Sequence, residues 1–193
     1  MLKRTFDFVC AALGLAILSP LFLGVAAAIK LTSRGPVYFR QQRMGINFTP
    51  FKIFKFRTME KNDATDSLIT VRGDQRVTPF GRFLRDTKID ELPQLINVLK
   101  GEMSLVGPRP EVPEYVEKFH SDYEEILRVR PGMTDEASVL YRNEEDILAQ
   151  AGDPQTAYVN EVLPKKIGLA KAYLRKHSFL YDLSLIARTL ARL

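Results

Sequence analysis

Two adjacent carboxylates, Asp90 and Glu91, are the side chains of this sequence best suited to chemistry. They lie in the stretch RDTKIDELPQLINVLKGEMSLVGPRP, residues 85–110, at the start of a helix predicted over about 90–99, with Pro93 in its first turn. A structural role alone would explain both residue types, because Asp90 would act as the N-cap and Glu91 would favour the positive end of the helix dipole. A catalytic role is the alternative.

The catalytic interpretation depends on two arginines near the carboxylate pair. Arg85 precedes Asp90 by five residues, and Arg109 follows it by nineteen in the proline-stiffened sequence GPRP. A helix N-terminus beside two fixed guanidinium groups suits a phosphate or diphosphate. Bound phosphates would repel a carboxylate there unless a divalent cation stood between them, and Mg²⁺ is the usual cation because it prefers oxygen ligands. This combination indicates phosphoryl transfer, with Asp90 as nucleophile or metal ligand.

The composition limits the kinds of protein and site that the chain can form. Its 193 residues suffice for one domain with a core, and a hydrophobic share of 46% argues against disorder. The net charge of +5 suits an anionic partner, whether phospholipid headgroups, nucleotide phosphates or nucleic acid. A single cysteine, Cys10, excludes an intrachain disulfide and a cysteine-based zinc site, and two scattered histidines, His120 and His177, argue against a histidine metal centre.

The elements that must position the candidate residues follow from turn residues and apolar spacing. Gly45 and Asn47 separate two runs rich in Tyr, Phe and Val, which predicts a β-hairpin of Val37–Gln42 with Phe51–Phe56. Gly101 is placed to act as a C-cap. The other predicted elements are helices at about 79–86, 90–99 and 113–128, and a polar loop at 60–76.

The C-terminal region from Glu161 to residue 193 predicts two amphipathic helices with a break near His177–Ser178. Seven basic residues against two acidic ones give this region a charge of +5, equal to the excess of the whole chain. A basic amphipathic helix can lie in a membrane interface. The same pattern fits a helix pair packed on the domain core, so both interpretations stay open.

The stretch DFVCAALGLAILSPLFLGVAAAIK, residues 7–30, is apolar enough to enter a bilayer and has Ser19 and Pro20 at its middle. Pro20 is expected to kink the helix, and Ser19 can donate to a carbonyl that the kink frees. The segment is long enough to span a hydrocarbon core of ~30 Å, and VAAA resembles a signal-peptide cleavage site. Crossing, cleavage and re-entry are all compatible with these features.

Basic residues flank the apolar segment on both sides, with Lys3 and Arg4 before it and Lys30 and Arg34 after it. Basic residues prefer the cytoplasmic side of a membrane, so this arrangement favours neither end crossing. Each leg of about 12 residues rises roughly 18 Å, enough to reach the middle of a bilayer and return.

Several long motifs follow one another along the chain: KRTFDF, the apolar segment with Ser19-Pro20, GPVYFRQQRMG, FKIFKFRTM, TPFGRFLRDTKIDELPQLINVLKGEMSLVGPRP and RPGMT. In this order they resemble the bacterial sugar transferase family, the monotopic phosphoglycosyl transferases of glycan assembly. The resemblance runs from about residue 3 to about 135 and continues loosely to the C-terminus. It implies an α+β fold with a re-entrant membrane helix-break-helix over 1–34. A catalytic domain over 35–193 would lie on the cytoplasmic face of the bacterial inner membrane, with a small β-hairpin and several amphipathic interfacial helices.

The resemblance also implies a reaction. A sugar-1-phosphate would pass from a UDP-sugar to a polyprenol phosphate, such as undecaprenyl phosphate, with release of UMP. Asp90 would attack the sugar-side phosphorus to form a phosphosugar-enzyme intermediate, and Glu91 would support it. Mg²⁺ would neutralise the donor diphosphate and contact Asp90. Arg85 and Arg109 match family arginines that would bind phosphate oxygens.

Lys55 and Arg57, in FKFRTM, are further candidates for phosphate binding, with a solvated strand face as the alternative. One departure from the family pattern lies after RPGMT, where many members read GWAQV or similar and this chain reads DEASVLYRNEEDI. We expect this region to help set the choice of donor, so the identity of the sugar does not carry over. The sequence does not set the oligomeric state.

Three other functions compete with the two-step transferase. A non-enzymatic membrane adaptor would use the basic helices for anionic lipid and the hairpin for a partner. A transferase with a ternary complex would use Asp90 only as a metal ligand. A nucleic-acid binder is disfavoured, because GPRP and an apolar segment of about 20 residues have no role in it.

Overall fold

A bent helix pair begins the chain, and two short sheets and further helices follow. The computed structural model describes residues 2–60 and 69–192, so residues 61–68 of the predicted polar loop lie outside the described part. The helices are α1 (Leu2–Ile17), α2 (Ser19–Thr32), α3 (Pro79–Asp86), α4 (Gln94–Lys100), α5 (Pro113–Lys118), α6 (His120–Ile126), α7 (Glu136–Leu140), α8 (Glu144–Ala149), α9 (Pro154–Ala157), α10 (Leu163–Lys176) and α11 (Phe179–Leu190). The strands are β1 (Tyr38–Met44), β2 (Pro50–Phe56), β3 (Ser104–Val106) and β4 (Gly132–Thr134). The fold is therefore a helix-rich mixture of helices and small sheets.

Helices α1 and α2 meet at a bend of 60°. Pro20 lies in the first turn of α2, and Ser19 Oγ donates to the carbonyl of Ala16 at 2.8 Å, which confirms the expected hydrogen bond at the kink. Within the described residues no helix by itself has the length and hydropathy to cross a membrane, whereas α1 and α2 taken together do, by length and composition.

The N-terminal end of α1 is fastened to the domain that follows. Lys3 Nζ donates to the carbonyl of Val106 at 3.0 Å and forms an ion pair with Asp182. Arg4 Nη1 donates to the carbonyl of Val98 at 2.7 Å. These bonds join α1 to α4, β3 and α11.

The C-terminal end of α2 is fastened to the same domain. Arg57, directly after β2, donates from Nη1 to the carbonyl of Arg34 at 2.7 Å and from Nη2 to Ser33 Oγ at 2.7 Å. Gly35 has a φ of 122°, and a Cβ there would lie 2.1 Å from Arg57 Nη1, so only glycine fits beside the guanidinium. Both ends of the bent pair therefore contact one body.

Strands β1 and β2 form the predicted hairpin. They are antiparallel, with Tyr38 opposite Phe56 and Met44 opposite Pro50. Asn47, with a φ of 52°, lies in the turn that the sequence indicated. β1 extends beyond the predicted end because Arg43 and Met44 still pair with β2, and the amide of Met44 also donates to the carbonyl of Glu111 at 3.0 Å.

The C-terminal helices also follow the prediction. α10 and α11 are separated at His177–Ser178, and Ser178 Oγ accepts the amide of Tyr181 at 3.2 Å as the N-cap of α11. α10 packs its apolar face on α6 and α7. The single helix predicted over 113–128 is wrong, since Phe119, at φ −116° and ψ 37°, divides it into α5 and α6.

Candidate active site

The carboxylate pair lies in a tight turn between α3 and α4. Lys88, with a φ of 57°, reverses the chain after α3, and residues Ile89–Glu91 form a single 3₁₀ turn. α4 begins only at Gln94, and its N-cap position is Pro93, which has no side chain that accepts a hydrogen bond. The N-cap interpretation of Asp90 is therefore wrong. Gly101 ends α4 with a φ of 84°, as predicted.

Two cations hold Glu91 in place. Arg109 donates from Nη2 to Glu91 Oε1 at 2.5 Å and from Nη1 to Oε2 at 3.2 Å, and Lys55 Nζ donates to Oε1 at 2.8 Å. Burial alone would raise the pKa of Glu91, but Arg109 and Lys55 hold that pKa well below its ordinary value. Glu91 is thus ionised near neutral pH, and both of its oxygens accept hydrogen bonds.

Asp90 has the opposite environment. Its side chain is buried, at 7% exposure, and its Oδ1 has no hydrogen-bond partner among the described residues. Burial raises the pKa of Asp90 to about 6, against the opposing charge of Lys55. Near neutral pH Asp90 is therefore ionised, desolvated and unpartnered, which are the properties of a nucleophile or a metal ligand.

Asn97 fixes the strand that carries Lys55 against α4. This side chain is fully buried, and its Oδ1 accepts the amide of Phe54 at 2.9 Å. Its Nδ2 donates to the carbonyl of Lys52 at 2.9 Å and to Glu102 Oε2 at 2.6 Å. Sequence analysis missed this residue, for which the only signal was a single amide inside the apolar run LINVL.

The GPRP loop is positioned by a close backbone approach. A Cβ on Gly132 would lie 2.1 Å from the amide nitrogen of Gly107, so both glycines are needed where β3 pairs with β4. The amide of Arg109 donates to Asp135 Oδ2 at 3.1 Å, and Asp135 Oδ1 accepts the amide of Ser138 at 2.7 Å as the N-cap of α7. Asp135 therefore joins the backbone of Arg109 to the start of α7.

Arg85 approaches the site from α3. It donates from Nη2 and Nε to a single oxygen, Glu145 Oε1, at 2.7 and 3.1 Å. Its Nη1 also lies 3.4 Å from Thr58 Oγ1. The charges of Arg85 and Lys88 both act on Asp90 and lower its pKa against the effect of burial.

A cavity of about 470 Å³ opens between α3 and α8, next to the carboxylate turn. Its basic side chains are Arg72, Arg82, Arg85, Lys88 and Arg142, and its acidic ones are Asp74, Asp86, Glu145 and Asp146. Arg85 and Lys88 belong both to this lining and to the surroundings of Asp90. Residues 142, 143, 145 and 146 come from the segment in which the sequence departs from the family pattern. The lining is of mixed charge, and its volume and arginine side chains suit a phosphorylated ligand of moderate size.

The structure brings four of the six predicted polar residues into one cluster: Asp90, Glu91, Lys55 and Arg109. Arg85 lies at the edge of the cluster, paired with Glu145. Arg57 is not in the cluster, because its guanidinium binds the end of α2. Ser19 and Pro20 form the helix bend. The catalytic, phosphate-binding and metal-binding roles of these residues stay predictions.

Among residues 2–60 and 69–192, no three His, Cys, Asp or Glu side chains cluster as the ligands of a metal ion. A Mg²⁺ ion at Asp90 can take further ligands from substrate phosphates and water. Mg²⁺ commonly binds in this way, through one or two carboxylates, substrate phosphates and water. The unpartnered Oδ1 of Asp90 fits such a ligand.

Known proteins resemble this chain over nearly its whole length. The family model described as "Bacterial sugar transferase" matches residues 1–193. A UDP-glucose:undecaprenyl-phosphate glucose-1-phosphate transferase of Caulobacter vibrioides is 41% identical, over 99% of this chain and 69% of that protein. The Escherichia coli protein of the same name is 38% identical, over 98% of this chain and 39% of that protein.

A third relative bears the name of a different sugar. The UDP-N-acetylgalactosamine-undecaprenyl-phosphate N-acetylgalactosaminephosphotransferase of Aeromonas hydrophila is 43% identical, over 72% of this chain and 34% of that protein. This chain thus spans about two thirds of one relative and little more than a third of the other two. Since the family model covers the chain from end to end, this protein belongs to the bacterial sugar transferase family.

Proposed function

We propose that this protein is a phosphoglycosyl transferase that moves a sugar-1-phosphate from a UDP-sugar to a polyprenol phosphate, releases UMP and so initiates the assembly of a membrane glycan. The observation that carries the proposal is the contrast between two neighbouring carboxylates. Glu91 is held by Arg109 and Lys55, whereas Asp90 is buried with an unpartnered oxygen. Three relatives named for undecaprenyl phosphate support that lipid as the acceptor.

In the first step, a carboxylate oxygen of Asp90 forms a bond to the sugar-side phosphorus of the donor. The bond from that phosphorus to the bridging oxygen breaks, and its electron pair leaves with UMP. The product is a phosphosugar ester of Asp90, a mixed anhydride. Burial favours this step because it strips water from the attacking carboxylate, and the raised pKa of about 6 still leaves Asp90 ionised near neutral pH.

In the second step, a phosphate oxygen of the polyprenol phosphate attacks the same phosphorus. The bond to Asp90 breaks, the carboxylate is regenerated, and the sugar diphosphate lipid leaves. Glu91 keeps Arg109 and Lys55 beside the reacting phosphorus, where their positive charge opposes the repulsion between anionic reactants.

Mg²⁺ is part of the proposal. Bound at Asp90 and the donor diphosphate, it would neutralise phosphate charge and polarise the bond to the leaving UMP. Asp90 is the described residue that would hold it, with phosphate oxygens and water among the other ligands.

The bent helix pair supports a place in the membrane. Large apolar side chains on α1 and α2 are exposed, including Leu13 at 56%, Ile17 at 74%, Leu23 at 73% and Leu31 at 87%. A helix pair in the core of a water-soluble domain would bury such residues. We infer that residues 1–34 insert in lipid and that residues 35–193 form the catalytic domain.

The attachment of both helix ends to one domain favours re-entry over crossing. Lys3 and Arg4 at one end and Ser33 and Arg34 at the other all bond to the same body. A helix that crossed would separate its ends by the ~30 Å of the hydrocarbon core. We therefore place the catalytic domain on the cytoplasmic face of the bacterial inner membrane, where a soluble nucleotide sugar and a lipid phosphate can meet.

α11 is the best candidate for an interfacial helix. It exposes Leu180, at 77%, and Leu190, at 63%, and Arg188 and Arg192 lie at its C-terminal end. Exposed apolar side chains beside basic ones suit the headgroup region of a bilayer. α10 buries most of its apolar face against the domain and is a weaker candidate.

The test is intact-protein mass spectrometry of detergent-purified protein with Mg²⁺ and a panel of UDP-sugars, including UDP-glucose and UDP-N-acetylgalactosamine, without lipid acceptor. UMP release is measured in parallel. We expect an added mass of one phosphosugar with the accepted donor and no adduct in Asp90→Asn.

Two other outcomes would change the proposal. Turnover only after polyprenol phosphate is added, with no adduct at any time, would indicate direct transfer in a ternary complex and leave Asp90 as a metal ligand. Full activity of Asp90→Asn would remove Asp90 from the chemistry. Lipid binding without turnover by the wild-type protein would favour the membrane adaptor.

A further inference from the structure

We propose that Glu145 is a built-in competitor of the donor phosphates, which must displace it from Arg85 before the nucleotide sugar can bind. This inference rests on the proposed function and concerns the cavity between α3 and α8. Glu145 is a positioning residue in this view, because it acts through Arg85 and takes no part in bond making.

The geometry of the pair is the first support. Arg85 presents Nε and Nη2 to one carboxylate oxygen of Glu145, at 3.1 and 2.7 Å. This edge of a guanidinium group is the one that also binds phosphate oxygens in paired hydrogen bonds. Glu145 therefore occupies the donors that a phosphate in the cavity would use.

The position of the pair is the second support. Arg85 and Glu145 both line the cavity of about 470 Å³, and the charge of Arg85 reaches Asp90. A diphosphate with its sugar-side phosphorus at Asp90 would bring its other phosphate toward Arg85. Glu145 and the bound diphosphate would then repel each other across a short distance unless the carboxylate moved away.

The surroundings allow the Glu145 side chain to move while the backbone of α8, which lines the cavity, stays in place. Its carbonyl accepts the amide of Arg72 at 3.2 Å, and the next residue, Asp146, pairs with the Arg72 side chain at 2.9 Å. These bonds hold the backbone of α8 in place. The Glu145 side chain is 40% exposed, so it can rotate into solvent when a phosphate takes Arg85.

The functional consequence is a lower affinity for both nucleotide ligands, the incoming donor and the departing UMP. The donor binds more weakly than it would to a free Arg85, and the carboxylate can recapture Arg85 as UMP departs. Glu145 lies in the segment where this chain departs from the family pattern.

The experiment measures UMP and UDP-glucose binding by isothermal titration calorimetry in detergent, with Mg²⁺ and without lipid acceptor. We expect Glu145→Gln to bind UMP about three- to tenfold more tightly, because a half-exposed ion pair accounts for up to about fivefold and relief of charge repulsion adds to it. Glu145→Ala serves as the second variant, and the fold of both is checked by circular dichroism.

Two controls separate competition from a general charge effect. Glu124→Gln makes the same chemical change at an exposed residue that faces His120, and we expect it to leave UMP affinity unchanged. In an Arg85→Gln background we expect Glu145→Gln to give no gain in UMP affinity, because the guanidinium for which Glu145 and the phosphate compete is absent.

The outcomes distinguish this inference from the proposed function. If the wild-type protein forms the phosphosugar adduct but Glu145→Gln and Glu145→Ala bind UMP no more tightly than wild type, the competitor role is refuted and the transferase stands. A gain that persists in the Arg85→Gln background also refutes it. Absence of both adduct and nucleotide binding in the wild-type protein would overturn the two proposals together.

Discussion

Replacing Asp90 with asparagine should stabilise the folded protein while it abolishes turnover. Burial raises the pKa of Asp90 from 3.8 to about 6, so the folded state binds the proton more tightly than the unfolded state does. Above pH 6 the ionised carboxylate therefore costs about 3 kcal/mol of folding free energy. Asparagine has the same shape without the charge, but its own buried amide costs about 1 kcal/mol or more. We expect a net gain of about 1–2 kcal/mol.

The assay is thermal unfolding followed by far-UV circular dichroism in detergent at pH 7.5, with chelator and no donor. The expected gain corresponds to a rise in Tm of about 2–8 °C for a chain of this length. The effect depends on pH with a definite sign. The penalty from Asp90 is absent below about pH 4, grows between about pH 4 and 6 and is complete above that. The advantage of Asp90→Asn should therefore disappear toward about pH 4, where only the cost of its buried amide remains.

Asp122→Asn is the matched control. Asp122 pairs with Lys171 at 2.7 Å on a partly exposed surface, so its loss should destabilise slightly, by at most about 1 kcal/mol. A lower Tm for Asp90→Asn at pH 7.5, or a difference from wild type that does not change between pH 4 and 7.5, would refute the assignment of Asp90 as a desolvated, unpartnered carboxylate.

Three further predictions concern the network around the site. Glu91→Gln should lose turnover and about 2–3 kcal/mol of stability in the same unfolding assay, because it leaves Arg109 and Lys55 without their counter-charge; unchanged stability would contradict the network. Asn97→Leu should lower the free energy of unfolding by about 2–3 kcal/mol, because two backbone groups of β2 lose their hydrogen-bond partner. A decrease below about 1 kcal/mol would show that Asn97 is not what holds β2 against α4. Glu111→Gln should make stability depend less on pH at acid pH. Burial raises the pKa of Glu111, but Arg43 opposes this and holds the pKa below its ordinary value. The ionised Glu111 therefore stabilises the fold above about pH 4.5, and this stabilisation is lost as the pH falls through the lower folded pKa. An unchanged acid limb of the pH–stability curve would contradict that role.

Local signals in the sequence were enough to predict much of the fold. The turn residues of the hairpin, the glycine that ends α4, the Ser-Pro bend and the break at His177–Ser178 each depend on a few neighbouring residues. The break at Phe119 has no such signal, because the apolar spacing continues across it. Backbone conformation set by tertiary packing is not visible in a local pattern.

The residue types of the site were also visible, but the division of roles between Asp90 and Glu91 was not. The partners that distinguish them come from distant parts of the chain, with Lys55 36 residues and Arg109 18 residues from Glu91. The pairing of Arg85 with Glu145 spans 60 residues. Only the folded structure shows which of two identical functional groups is neutralised and which is left without a partner.

The fastening of α1 to the domain has a consequence for biogenesis. The contacts of Lys3 with Val106 and Asp182 span 103 and 179 residues, so the ribosome must add all of that sequence before they can form. At ordinary rates of synthesis this takes roughly 10–40 s. During that interval the apolar segment leaves the ribosome before Val106 and Asp182, the partners of Lys3, have been synthesised. In the re-entrant arrangement proposed above, the bent segment would therefore enter lipid before the contacts of Lys3 hold its N-terminal end.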